Sequence, residues 1–209
     1  MQKSLSKLHS KTYDSVADEY ERRVEKLKPV TKYCLNQLMK GMKPGSKILD
    51  IGCAVGYTIE IFRKAGMIAD GIDISPEMIK YAKRRNPDSK LTVGDFMDTE
   101  FPNNYYDGVL AFAFIHLFPK DVVTQCIDKI VNILKPSGAF FISTTNSSSS
   151  SEGFEQKVGF KDGAKRFRKH WTQDELENLI KSHNLEIIWH EDIKDEFGKI
   201  WMDYIVKKR

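Results

Sequence analysis

The chain has 209 residues, of which 41% are hydrophobic and 30% charged, and it carries a formal net charge of +4. That length suits one domain around one substantial core, and so mild a positive charge does not by itself imply a nucleic-acid partner. Cys34, Cys53 and Cys126 are odd in number and scattered without CxxC spacing. This argues against a disulfide framework or a zinc site, and for a reducing compartment. The opening MQKSLSKLHSK has no apolar run of the secretory kind, so a cytoplasmic setting is expected. The longest apolar run, Val109 to Phe118, is interrupted by His116 and is too short to span a bilayer.

Residues 11–27 read as a helix, because Tyr13, Val16, Ala17, Tyr20, Val24 and Leu27 recur at three- and four-residue steps. Such a stripe either packs on the core or lines a pocket with its two tyrosines. Pro29 is expected to open a second helix that runs to about Gly41. Lys43-Pro44-Gly45 then makes a turn.

The centre of the chain is Ile48-Leu49-Asp50-Ile51-Gly52-Cys53-Ala54-Val55-Gly56. Apolar residues run into an acid, small residues follow, and a helical pattern resumes at Thr58: a buried strand turning sharply into a helix. Glycine serves where the backbone takes positive φ or where a ligand must approach closely, and the helix beyond offers free N–H groups. That helix is expected over 58–65 and ends at Gly66. Residues 67–74 form the second strand, and Ser75-Pro76 opens the next helix. Asp73 thus stands at the carboxyl end of strand two, about 20 residues beyond Asp50, where an acid can accept both hydroxyls of an adenosine ribose.

Leu91-Thr92-Val93 is a short third strand leading into Gly94-Asp95-Phe96, an acid again at a strand end, beside an aromatic able to stack on a base. Residues 106–112 form a fourth strand of continuous apolar character, and 120–135 a helix. Lys135-Pro136-Ser137-Gly138 is expected to stop that helix before a fifth strand at 139–143. Strands alternating with helices at this rhythm mean a parallel, doubly wound α/β sheet, whose ligands sit beyond the carboxyl ends of the strands. The serine-rich stretch 146–151 reads as a loop, and 157–169 as a basic segment interleaved with Phe160 and Phe167. Thr172 to Glu175 is a capping box into the last helix. Leu185–Trp189 and Ile200–Val206 read as a closing antiparallel hairpin at the sheet edge, turning at Phe197-Gly198-Lys199.

Five motifs in order carry a resemblance: Asp50 to Gly56, Asp73, Gly94-Asp95-Phe96, Phe112 to Leu117, and Leu134 to Gly138. Together they resemble the class I S-adenosylmethionine-dependent methyltransferases over about residues 11 to 209. Ala54 departs from the family's pattern, where many members have glycine. The resemblance implies a seven-stranded, mostly parallel sheet of Rossmann-like type with an antiparallel final hairpin. Within a single domain, 1–42 would be an N-terminal helical cap and lid, and 43–145 the cofactor-binding core. Residues 146–171 would form an insert over the acceptor, and 172–209 the last helix and hairpin. It also implies S-adenosylmethionine as cofactor, S-adenosylhomocysteine as product, and no metal.

By the same resemblance Asp50, Gly52, Cys53, Ala54 and Gly56 approach the methionine end. Asp73 and Ile74 flank the ribose, Asp95 and Phe96 the adenine, and the Ala111–Phe112 backbone faces the reaction chamber. Tyr13 and Tyr20 would cover the site, Tyr20 also touching the acceptor. His116 is either a base for a hydroxyl or acid nucleophile or a structural histidine. Arg166 and Arg168, on the same side of an extended segment, are expected to clamp an anionic small-molecule acceptor. The serine-rich stretch would serve as the hinge of a lid, and most of the segment's lysines would lie on a solvated loop. No cysteine or Asn/Asp-Pro-Pro-aromatic motif stands where nucleobase-methylating members have one. Transfer to an O or N atom of a small metabolite is therefore the leading expectation. The alternatives are RNA modification, motivated by 157–169, and a non-catalytic cofactor-binding protein. A nicotinamide dehydrogenase is remote, because the spacing after Asp50 is not G-x-G-x-x-G.

Overall fold

In the computed structural model, strand β1 (Lys47–Ile51) lies in the middle of the sheet and pairs in parallel with β2 (Ile68–Asp73) on one side and β4 (Tyr106–Phe112) on the other. The described residues are 2–156, 165–196 and 198–209. Beyond β2 comes β3 (Leu91–Val93), and beyond β4 comes β5 (Leu134–Thr145), both parallel. The last strand, β9 (Ile200–Lys208), inserts antiparallel between β5 and the edge strand β8 (Leu185–Lys194), giving the order β3-β2-β1-β4-β5-β9-β8. This is the doubly wound sheet that the alternating pattern implies, with the seven strands and antiparallel final hairpin that the resemblance implies. The order reverses between β1 and β4, and a crevice opens there beyond the strand ends.

Each face of the sheet is covered by helices that bury one apolar stripe. On one face α2 (Ala17–Met39), α3 (Tyr57–Lys64) and α4 (Pro76–Arg85) pack Leu35, Phe62 and Ile79 against Ile48, Leu110 and Phe141. On the other, α5 (Lys120–Ile133) and α6 (Gln173–Ser182) pack Ile127, Ile130 and Leu176 against Leu49, Val109 and Phe140. Helix α1 (Gln2–Ser15) lies across the carboxyl edge: Ser6 donates to Asp95, Asp14 accepts from Ser75 and Glu77, and Thr12 donates to the Lys165 carbonyl at 2.7 Å.

Three expectations are corrected. The N-terminal helix breaks at Val16 (φ −117°), and helix α2 then runs straight through Pro29. Pro29 forgoes one backbone bond, but the stripe Val24, Thr31, Leu35 and Leu38 is buried on both sides of it, and that burial holds the helix together. The stretch 135–138 does not separate helix from strand; β5 begins at Leu134 and absorbs it as an irregularity, with Ser137 at φ 61°. The insert is not a plain loop: β6 (Ser151–Gln156) and β7 (Lys165–His170) form a two-stranded antiparallel sheet. Lys157, Phe160, Lys161 and Phe197 lie outside the described residues. At the last helix Thr172 caps by accepting from the Glu175 amide at 3.3 Å, while the Glu175 side chain turns to Lys169 and Ser150.

Candidate active site

The turn from β1 into α3 needs positive φ at three positions: Gly52 (72°), Ala54 (46°) and Gly56 (73°). A side chain at Gly52 would meet the Phe114 ring at 2.9 Å, so glycine keeps this wall of the crevice thin. The Gly52 and Cys53 amides both donate to the Ile72 carbonyl (2.8 and 3.1 Å), which ties the turn to β2. Asp73, ending β2, accepts from the Ala54 amide on one oxygen and the Ser75 amide on the other, each at 2.9 Å. Burial nevertheless pushes its carboxyl up to about 6, the two amides opposing the shift. Asp50 is buried at the end of β1 and accepts from the Thr58 hydroxyl. Burial raises it to about 7, with Thr58 holding it down and the Asp73 charge adding to the rise. Asp95 folds back on the Met97 amide at 2.9 Å, and Phe96 packs on Phe101 with ring centres 5.5 Å apart. The Lys129 ammonium donates to the carbonyls of Phe96, Met97 and Thr99 at 2.7–2.9 Å, fixing this loop from α5.

The crevice continues toward β7 and the β8–β9 turn. Tyr13 and Tyr20 meet edge-on with ring centres 6.0 Å apart. Burial first, and the neighbouring Tyr13 next, lift the Tyr20 hydroxyl well above its ordinary range, so it is a proton donor and not a base. Phe112 stacks on Phe141 and tilts against Trp201 at 6.0 Å. His116 is 2% exposed; its Nδ1 lies 3.3 Å from the Thr144 hydroxyl, which can donate or accept, and its ring is 6.0 Å from Trp201. Arg166 and Arg168 reach the same end from β7. Lys169 is buried against Trp171, Ser150 and Glu175, where the sequence suggests a solvated loop, because its position in β7 turns it inward. Cys53 also faces the crevice, but burial holds its thiol far above the ordinary range, which leaves it a poor nucleophile.

One crevice therefore gathers Tyr13, Tyr20, Asp50, Gly52, Cys53, Ala54, Asp73, Ile74, Asp95, Phe96, Phe112, His116, Arg166 and Arg168. Two expected residues lie elsewhere. Gly56 faces α4, where an added side chain would meet Ala82 at 2.8 Å, and its carbonyl accepts from Asn86. Ala111 does not line the crevice: its side chain is packed in the core within β4, and Phe112 and Ala113, at and just beyond the strand end, reach the opening. Sequence reasoning missed Thr58, Phe114, Asp195, Lys199 and Trp201, which also line the crevice. An antiparallel last strand must start at the carboxyl edge, and that was the available signal for Trp201, which pairs with Thr145.

Residues 49–142 match the family described as a methyltransferase domain. Residues 49–142 thus carry a methyltransferase domain. Sterol 24-C-methyltransferase of Gibberella zeae is 36% identical over 108 residues, which is 48% of this chain and 28% of that protein. Sterol 24-C-methyltransferase of Kluyveromyces lactis is 31% identical over 178 residues, 77% of this chain and 46% of that protein. Ubiquinone biosynthesis O-methyltransferase of Xanthomonas campestris is 28% identical over 109 residues, 49% and 44% of the two chains. The chain thus spans less than half the length of these relatives. Among solved structures, a Haloferax volcanii complex of the Trm112 methyltransferase activator with a methyltransferase matches at a TM-score of 0.77 and 17% identity, covering 96% of this chain and 97% of that one. The Burkholderia thailandensis 1,6-didemethyltoxoflavin-N1-methyltransferase matches at 0.71 and 16%, covering 92% and 87%. At such identities these structures speak for the methyltransferase fold.

Proposed function

We propose that the protein transfers the methyl group of S-adenosylmethionine to an oxygen or nitrogen atom of a small molecule bound between Tyr20, Phe112, His116 and β7. The observation that carries this reading is the one crevice that Asp50, Asp73 and the thin Gly52 wall share with Tyr20 and His116. The donor residues suit such a cofactor. Asp73 keeps a second lone pair on each oxygen for ribose hydroxyls, and Asp50 is a buried carboxyl that a cationic amino acid group would ionise. When bound, the cofactor supplies an electrophilic methyl on a sulfonium.

The chain's own contribution is positioning, which in a near-attack geometry supplies about 7–11 kcal/mol. Tyr13 and Tyr20 from the N-terminal helices close over the crevice and keep water out. Tyr20 donates a hydrogen bond, and His116, oriented by Thr144, takes the proton that a hydroxyl or amine acceptor must lose. The proposed setting is the cytoplasm; among the described residues no helix is long and apolar enough to cross a membrane.

The relatives' names cover carbon and oxygen acceptors, so the choice of O or N rests on His116. An RNA acceptor is disfavoured because Arg166, Arg168 and Lys169 are buried, whereas a phosphate-tracking surface needs them exposed. The direct test is calorimetric titration with S-adenosylhomocysteine. Binding that Asp73→Ala weakens supports the reading, and no binding by the folded wild type refutes it.

A further inference from the structure

Strand β7 carries Arg166 and Arg168 two residues apart on one face, 8% and 6% exposed, and both line the crevice. Their cross-strand neighbours are unequal. Arg166 stands opposite Glu155, whose carboxylate takes its Nη2 at 3.2 Å but is shared with His170 at 3.2 Å. Arg168 stands opposite Gly153, which has no side chain, and its Nη2 donates to the neutral Thr145 hydroxyl. The Nε of each guanidinium is buried and has no hydrogen-bond partner among the described residues. Lys199 and Arg23 also line the crevice, Lys199 with Asp195 beside it and Arg23 paired to Glu19. Burial, with Arg166 alongside, pushes Arg168 down to about 10, so the free protein holds two like charges close together at a cost.

A structural ion pair would set a carboxylate against Arg168, and the sequence sets Gly153 there instead. Two forked guanidinium donors lining one crevice match the paired oxygens of a carboxylate or phosphate. Guanidinium hydrogen bonds draw electron density from any oxygen they hold, which makes that oxygen a poor nucleophile. The group held here is therefore an anchor, and the methyl goes to a different atom of the same acceptor. The rings of Phe112 and Trp201 line the same crevice and suit a flat apolar body.

We propose that Arg166 and Arg168 form an anion socket that anchors the methyl acceptor by a carboxylate or phosphate that is not itself the methylated group, on an otherwise apolar, flat molecule. This rests on the methyltransferase reading above. The test titrates the full chain, with and without S-adenosylhomocysteine, with benzoate, phenyl phosphate and the neutral benzamide. At least one anion is expected to bind about 10- to 100-fold more tightly than benzamide. Arg168→Gln is expected to remove that preference, and Arg168→Lys to restore part of it, both with unchanged S-adenosylhomocysteine affinity and normal melting. Preference for benzoate assigns the socket to carboxylates, and preference for phenyl phosphate to phosphates. Equal binding of benzamide, no binding of either anion, or anion affinity unaffected in Arg168→Gln overturns the socket. Failure to bind S-adenosylhomocysteine while the anion results hold would instead remove the methyltransferase reading and leave the socket in place.

Discussion

Asp73 commits both carboxylate oxygens to backbone amides and still faces the crevice, so it is at once a brace for the β1–α3 turn and a ligand group. Asp73→Ala is expected to cost about 1.5–3 kcal/mol of S-adenosylmethionine affinity, the scale of hydrogen bonds to a charged group. It also leaves two amides without a partner, so the melting temperature should fall too; calorimetry and melting read the two losses separately. Unchanged affinity in a folded variant would take Asp73 out of the site. Asp50 gives a pH signature. Its carboxyl is held up to about 7, and a cationic ligand favours the ionised form. Affinity for S-adenosylmethionine is therefore expected to rise between about pH 5.5 and about pH 7.5, and Asp50→Asn to flatten that rise. A flat profile in the wild type would contradict this. His116→Ala should lower turnover by ~10²–10⁴-fold with cofactor affinity nearly unchanged if His116 is the base. Wild-type turnover in that variant across about pH 6 to about pH 9 would mean that positioning alone suffices.

The β1–α3 turn shows two glycines with different tasks. At Gly56 an added Cβ meets the Ala82 Cβ at 2.8 Å and its backbone at 3.0 Å, and α4 cannot easily retreat. Gly56→Ala is expected to destabilise the fold by about 1–3 kcal/mol while the folded protein binds S-adenosylmethionine as before. At Gly52 the obstacle is the Phe114 ring, a side chain in the crevice wall, so Gly52→Ala should instead weaken cofactor binding more than it lowers melting. Reversed outcomes would mean that the two positions have been misassigned. Both glycines looked alike in the sequence, because positive φ is visible there as a residue type but the neighbour is not. The parallel strands were legible because burial on both faces leaves a continuous apolar run, and Asp73 because it ends one such strand at a telling distance from Asp50. Strand β6 was not: Ser151–Gln156 has little intrinsic strand preference and is held by its pairing with β7. Nor was the passage of α2 through Pro29, since local propensity argues for a break there and only the buried stripe overrules it. Lys199 and Trp201 reach the site because β9 takes the slot between β5 and β8, a property of topology.

Across the whole molecule, the ligand edge is built from groups that the fold itself disfavours. Asp50 at about 7 and Asp73 at about 6 are both raised by burial there, as is Asp203 at about 6 away from the crevice, where it accepts from Cys34 of α2. Between an ordinary carboxylate pKa near ~4 and these values the folded chain holds more protons than the unfolded one, so stability falls as pH rises through that window. The melting temperature of the ligand-free protein is expected to drop from about pH 5 to about pH 7.5, and Asp50→Asn to shrink the drop. A rise over that range would contradict it. Glu60, Asp107, Glu175 and Glu177 are shifted the other way, and their contribution is lost only in acid below their ordinary range. Two clusters of buried side chains, one on each face of the sheet, and a third under the N-terminal helices frame the crevice at the carboxyl edge. The central claim is that this edge methylates a small molecule. Its most direct test is transfer of labelled methyl from S-adenosylmethionine into a heat-inactivated cell extract, split afterwards into small-molecule, RNA and protein fractions. The account predicts label in the small-molecule fraction, dependent on the protein and reduced in Asp73→Ala. Label in RNA or protein, or no transfer by a chain that binds the cofactor, would contradict it.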